Sequence, residues 1–249
     1  MNLIQVNRVT KDYRLGKQTV RALHDVSLTI PEKVFLAIAG PSGSGKSTLL
    51  NLIGCIDTPS SGNIVLDGED LAGRNPDQLA DLRSRTIGFI FQTFNLLPVL
   101  TAEENVEYPL LHRYDISAEE RRLRVSHYLD IVGLAQFTHH RPNELSGGQR
   151  QRVAIARALA THPRMVLADE PTANLDRKTG YQILALMQEI NRQHGTTFIF
   201  STHDNKVIRM ANRLIRIDDG RISRLGVRSE TGWKFALLPR ANRSEEDQQ

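Results

Sequence analysis

The sequence predicts an α/β protein with a mainly parallel core sheet, an N-terminal antiparallel β subdomain and an inserted α-helical subdomain. Three observations predict it. Residues 34–39 and 165–168 are unbroken apolar runs and 197–200 is apolar after Thr197, the pattern of strands buried on both faces. The last two runs flank a helical spacing of Ile183, Leu184, Leu186, Met187 and Ile190, and strand, helix, strand implies a parallel pair. Between residues 92 and 160, strand signals give way to helical ones.

Taken in order, Ile4, Val6 and Val9 alternate, and residues 19–23 and 26–30 continue in short strands, an antiparallel flap. The run 34–39 feeds Gly40-Pro41-Ser42-Gly43-Ser44-Gly45-Lys46-Ser47, after which a helix is expected from about 45 to 56. A strand over 85–91 precedes the helical insertion. The expected domain is 1–224, with a core of 1–91 and 161–224 around the insertion 92–160. From about Leu225 regular order fades into an extension, 225–249, whose polar end is expected to be mobile. Trp233, Phe235, Leu237 and Leu238 interrupt that extension and are expected to pack on the chain's own surface. No internal repeat is visible.

With 249 residues, 40% of them hydrophobic, the chain can bury a full core. Its net charge of +4 is a mild excess that solvation accounts for. One cysteine excludes an internal disulfide, and Cys55, set among Leu49, Leu50, Leu52, Ile53 and Ile56, reads as a small buried apolar residue. No segment approaches the roughly 20 apolar residues a spanning helix requires, and the N-terminus lacks a basic stretch followed by an apolar one. A cytoplasmic protein, soluble or peripheral, is expected.

The chemistry concentrates in four places. Glycines at 40, 43 and 45 let backbone N–H groups converge on anionic oxygens, and the helix start behind them adds its positive end. Lys46 offers a point charge to the outer phosphates, Ser47 a hydroxyl for Mg²⁺, and Thr48 another phosphate contact. Asp169-Glu170 closes an apolar strand before Pro171, which sets two carboxylates at the edge where open α/β sheets bind ligands. Asp169 is the candidate for orienting the metal's water shell, and Glu170 for the base that polarises the attacking water, a role worth about 10² to 10⁴ in rate. His203 ends another predicted strand and is placed to hold phosphate, water and Glu170 in register. Leu145-Ser146-Gly147-Gly148-Gln149 reads as a second anion receptor, with Ser146 as helix N-cap and the helix running through Val153, Ile155 and Leu159. No phosphate-binding segment lies near it in sequence, and the flanking Glu144, Arg150 and Arg152 read as surface salt-bridge or interface residues, so it calls for a phosphate held by another molecule.

Phosphate loop, Gln92, residues 145–149, Asp169-Glu170, Asp176 and His203 occur in the order found in the ATP-binding cassette ATPases, a P-loop NTPase family that the chain resembles over roughly residues 1–224. Ile87-Gly88-Phe89-Ile90-Phe91-Gln92, Asn95-Leu96-Leu97-Pro98, Glu104-Asn105-Val106 and Pro171-Thr172-Ala173-Asn174-Leu175-Asp176 are similar to the subgroup of the LolD, MacB and FtsE ATPases. The resemblance implies ATP and Mg²⁺, and a head-to-tail dimer in which residues 145–149 of one copy close over ATP on Lys46 of the other. It matches Tyr13 to the aromatic that stacks on adenine, with Val20 nearby. Gln92 matches the residue linking magnesium to the helical insertion, and Asp176 a loop communicating between the two sites. Residues 93–98 through 109–111 match the surface that receives a permease's coupling helices, though some of their apolar residues are equally readable as core.

An ATPase subunit is therefore expected, peripheral on the cytoplasmic face of the inner or plasma membrane and driving a MacB-, LolCE- or FtsX-like permease in export, lipoprotein release or envelope remodelling. Contact with the membrane is expected only through that permease, and no nucleic acid partner is expected. An ATP-gated signalling clamp fits the same residues. A soluble DNA-associated ATPase of the same superfamily would need a long heptad-bearing insertion between phosphate loop and signature, and none is present.

Overall fold

The computed structural model describes residues 1–16 and 18–236. In chain order its elements are β1 (Asn2–Leu15), β2 (Gln18–Pro31), β3 (Phe35–Ala39), α1 (Lys46–Ile53), β4 (Ser61–Leu66), β5 (Glu69–Asp70), α2 (Pro76–Thr86), β6 (Ile87–Ile90), α3 (Ala102–Glu107), α4 (Ala118–Ile131), α5 (Gly147–Ala160), β7 (Met165–Asp169), α6 (Arg177–His194), β8 (Thr197–Thr202), α7 (Asn205–Met210), β9 (Arg213–Asp218), β10 (Arg221–Ser229) and β11 (Gly232–Ala236). The described residues divide into two compact units, the first within 1–81 and 197–236 and the second of residues 82–196.

In the first unit an antiparallel sheet runs β2-β1-β4-β5 and a second one β11-β10-β9-β3-β8. The flap is longer than its sequence suggests. Runs that read as separate short strands join into two strands of 14 residues each, because Arg8 and Asp25, both at φ 48°, sit where the register slips and let each strand continue past a bulge. In the second sheet β3 pairs in parallel with β8 and with β9. Every residue of β3 and β8 is buried, as continuous apolar runs require, and Phe35 packs against Phe198 and Phe200 at ring-centroid distances of 5.9 and 4.5 Å. Cys55 is a buried thiol outside any disulfide, as its apolar neighbours indicate.

The extension does not lose its order at Leu225. β10 continues to Ser229 and turns into β11, which pairs with it antiparallel. Arg224 lies over Phe235 and Arg228 over Trp233, so the aromatics do pack on the chain's own surface. Gly226 leaves them room, since a Cβ there would stand 3.0 and 3.1 Å from the two rings and push them outward. Arg221, Arg224 and Arg228 interrupt the apolar residues of β10 and obscure its strand pattern in the sequence. Leu237, Leu238 and the polar end lie outside the described residues.

The second unit is built around α5. Val153, Ala154, Ile155, Ala156 and Leu159 are all buried, and β6 lies so close to the helix that a Cβ on Gly88 would stand 2.4 Å from the Ala158 carbonyl oxygen. β6 pairs in parallel with β7. Outside those strands the insertion is helical as expected. α3 starts with a capping box between Thr101 and Glu104, and the buried Asn105 amide donates to the carbonyls of Leu97, Leu100 and Thr101 while its oxygen accepts from Leu97 N–H. That side chain fixes residues 97–101, the far end of the loop leaving Gln92. No helix among the described residues is long and apolar enough to cross a membrane.

Candidate functional site

The first unit holds the phosphate loop between β3 and α1. Gly43 and Gly45 have φ of 79° and 100°, a conformation other residues resist, and a Cβ on Gly45 would fall 2.6 Å from the Ala22 carbonyl oxygen. A Cβ on Gly40 would fall 2.1 Å from the Ile217 carbonyl oxygen. The loop is thus pressed against its own scaffold, and the turn after β9 ties it down through Gly220 N–H to the Ser44 carbonyl, 3.0 Å. Pro41, Ser42 and Ser47 are exposed along its rim.

Its polar inventory fits a bound polyphosphate. α1 starts at Gly45 with no side-chain cap, which leaves its first N–H groups to an outside acceptor. Ser44 Oγ is buried without a hydrogen-bond partner. Lys46 is buried and its ammonium donates back to the carbonyls of Gly40 at 3.0 Å and Pro41 at 2.7 Å, a charge resting on neutral acceptors that an anion would better satisfy. Ser47 adds a hydroxyl oxygen of the kind Mg²⁺ prefers.

Tyr13 and Val20 are register partners across the β1–β2 ladder. The Tyr13 hydroxyl donates to Asp57 Oδ2 at 2.9 Å and also engages the Thr48 side chain; burial and the hydrogen bond with Asp57 push the phenol above its ordinary pKa. His203 follows β8 directly and is exposed.

The second unit brings its own candidates together. Asp169 ends β7, and Glu170 follows at φ 45°, in the left-handed region, turning the chain so that Ala173 N–H reaches the Glu170 carbonyl at 3.1 Å. Ser146 caps α5 as expected. Its hydroxyl accepts from Gln149 N–H at 3.3 Å, and the Gln149 side chain accepts from Ser146 N–H at 2.8 Å. Leu145 is buried behind that turn.

Gly147 and Gly148 are not alike. A Cβ on Gly148 would stand 2.6 Å from Thr179 Cγ2, so this glycine admits α6, whereas one on Gly147 meets nothing nearer than Leu175 at 3.5 Å. Asp176 caps α6 by accepting from the N–H groups of Lys178 and Thr179, and a hydrogen bond with the Thr179 side chain, followed by these backbone bonds, lowers its carboxyl below the usual range. Asn174 donates to the Gln92 carbonyl at 2.9 Å. The segment 174–179 therefore touches both the Gln92 loop and the start of α5.

Two arginines hold the start of the loop after Gln92: Arg157, to which the sequence assigns no role, and Arg150, which reads there as a surface salt-bridge or interface residue. Phe94 and Asn95 are consecutive left-handed residues, at φ 62° and 47°. Arg157 donates to both of their carbonyls, 2.8 Å to that of Phe94, and Arg150 lies over the Phe94 ring at 5.3 Å. Burial lowers the Arg157 pKa. The available signal was their spacing on α5: two arginines seven residues apart, two helical turns, lie on one face.

Residues 23–173 match the family model described as ABC transporter. The chain is 48% identical over 225 residues to the uncharacterized ABC transporter ATP-binding protein MJ0796 of Methanocaldococcus jannaschii, covering 89% of this chain and 96% of that protein. It is 46% identical over 221 residues to the macrolide export ATP-binding/permease protein MacB of Syntrophobacter fumaroxidans, covering 88% of this chain but 31% of MacB. Among solved structures it is similar to a dimeric post-hydrolysis state of the MJ0796 cassette bound to ADP and Pi, with a TM-score of 0.83, 47% identity and coverage of 90% and 98%. It is also similar to CbiO1 of Clostridium perfringens, part of the CbiONQ transporter complex, with a TM-score of 0.79, 29% identity and coverage of 89% and 86%.

Proposed function

Because the chain belongs to the ABC transporter ATPases, enzymes that bind and hydrolyse ATP with Mg²⁺, we propose that two copies close around two ATP molecules and drive a MacB-, LolCE- or FtsX-like permease. The observation that carries the permease reading is a surface of the second unit. Leu97, Val99, Tyr108 and Leu111 are exposed on the stretch after Gln92, Val99 at 72%, beside a cavity of about 260 Å³ lined by Arg83, Phe89, Phe91, Asn95, Pro109 and Arg157. Large apolar side chains rimmed by charge suit an amphipathic helix from a membrane partner. MJ0796 forms a dimer and MacB joins an ATPase to a permease in one chain, which supports both halves of the reading.

In this reading the loop 40–48 holds the phosphates and Tyr13, with Val20, the adenine. Ser47, Gln92 and, through water, Asp169 would hold Mg²⁺, which when bound neutralises charge on the outer phosphates. Glu170 polarises the attacking water and His203 keeps the terminal phosphate aligned. Leu145, Ser146, Gly147, Gly148 and Gln149 of the second copy contribute N–H groups and a hydroxyl to that phosphate, so ATP binds the closed pair better than the open one. Asp176 passes the state of one site to the other, and hydrolysis removes the bridge. The domain is 1–224 with 92–160 as its helical insertion and 225–249 as an extension.

The test is co-purification in detergent with the permease encoded beside this chain. Val99→Asp with Leu111→Glu should lose the complex and leave the ATPase activity of the free subunit within about twofold. A complex that survives both changes removes this surface from the docking role. An ATP-gated clamp that signals without transport would keep the complex and move no substrate.

A further inference from the structure

We infer that Lys11 and Asp57 are positioning residues for the nucleotide base, locking the Tyr13 ring so that one face alone is offered for stacking. The inference rests on Tyr13 being the base platform. The Lys11 ammonium lies over the Tyr13 ring, 4.9 Å from its centroid, and so occupies one face. It is held there from below: it donates to Asp57 Oδ1 at 2.6 Å and to the Thr58 carbonyl at 2.8 Å, and Lys11 is only 9% exposed. The other carboxylate oxygen of Asp57 accepts the Tyr13 hydroxyl, while Oδ1 also accepts Thr58 N–H at 2.7 Å.

Every polar atom in this cluster thus acts on the ring's orientation. A lysine and an aspartate could satisfy one another without a tyrosine, and a tyrosine at a strand end could leave its hydroxyl in water. Here a partly buried ion pair reaches a half-exposed aromatic, clamping it by its hydroxyl and by one face. Asp57 itself is fixed by the turn that ends α1, where Ile56 N–H and Asp57 N–H both donate to the Asn51 carbonyl, at 2.9 and 3.3 Å, and Cys55 adopts φ 54°. The helix whose first turn faces the phosphates therefore also anchors, through the turn after its last, the ring meant for the base. A ring already ordered loses less freedom on stacking than a free one, a difference of roughly 3- to 10-fold in affinity.

The experiment measures KM and kcat for ATP in Asp57→Asn and Lys11→Met, each alone and in the Tyr13→Ala background, with inorganic tripolyphosphate as a ligand that has phosphates and no base. Each single change should raise KM for ATP about 3- to 10-fold, leave kcat within about twofold and leave tripolyphosphate affinity unchanged. In the Tyr13→Ala background neither should have a further effect. Tyr13→Phe, which keeps the ring and loses its bond to Asp57, should fall between the wild type and Tyr13→Ala. Unchanged KM in both single variants beside a raised KM for Tyr13→Ala would overturn the positioning role alone. Weakened tripolyphosphate binding, or effects of full size without the tyrosine, would reduce the pair to a structural brace. An unchanged KM for Tyr13→Ala itself would overturn the base platform, and this inference with it.

Discussion

The chain has two helix starts suited to phosphate, and they are finished in opposite ways. α1 opens at Gly45 with no side chain over its first N–H groups, a buried hydroxyl on Ser44 without a partner, and a lysine folded back onto loop carbonyls. α5 opens at Ser146 with both members of a capping box made. The first start is incomplete without an anion and can hold one within a single chain. The second is stable as it stands, and a phosphate reaching it must come with a better offer than Gln149, whose N–H sits 3.3 Å from the Ser146 hydroxyl. In the proposed mechanism binding and closure are thereby separable events, one for each helix.

The largest expected effect comes from removing the charge at the first start. Lys46→Ala should weaken ATP binding to the free subunit by 100-fold or more, on the order of 3 kcal/mol, in a fluorescent-nucleotide titration. Ser146→Ala should leave that single-copy affinity unchanged, and equal losses in the two variants would erase the contrast. Next, Glu170→Gln should keep ATP affinity, slow turnover by about 10² to 10⁴ and trap an ATP-bound dimer on a sizing column. A monomer under those conditions would leave the second start without its phosphate.

Smaller effects separate the glycines of the second start. Gly148→Ala drives a methyl group into Thr179 and should cost about 1 to 3 kcal/mol in denaturant unfolding, while Gly147→Ala should stay within about 1 kcal/mol of the wild type and act, if at all, on closure. Equal destabilisation would mean that both positions serve packing. The smallest effect is one of pH. Burial raises the Asp57 pKa, but its hydrogen bonds to Lys11, Thr58 N–H and Tyr13 outweigh that and hold it below the ordinary value. The stability it adds is therefore complete above a pH of about 4 and disappears as pH falls through the lower folded pKa, so the acid limb of the wild-type unfolding curve should flatten in Asp57→Asn.

Both helix starts were legible in the sequence because their chemistry is local: glycine spacing after an apolar run, and a serine before a helical period. The strands buried on both faces were legible for the same reason. What could not be read depends on partners distant in sequence. Gly148 is explained by Thr179, Gly88 by Ala158, and Arg150 and Arg157 by a turn some sixty residues earlier. Residues 57–86 carried no periodic signal strong enough to place β4, β5 and α2, and the two-residue β5 falls below what alternation can reveal.

Glu170 carries one more implication. Its carboxylate is mounted on a peptide unit twisted to φ 45°, where asparagine or glycine would sit with less strain. With Glu170 as the proposed base, Glu170→Gly or Glu170→Asn would relieve that strain and raise the melting temperature while removing the group proposed to polarise the attacking water. In that proposal durability and output are set against each other at a single residue.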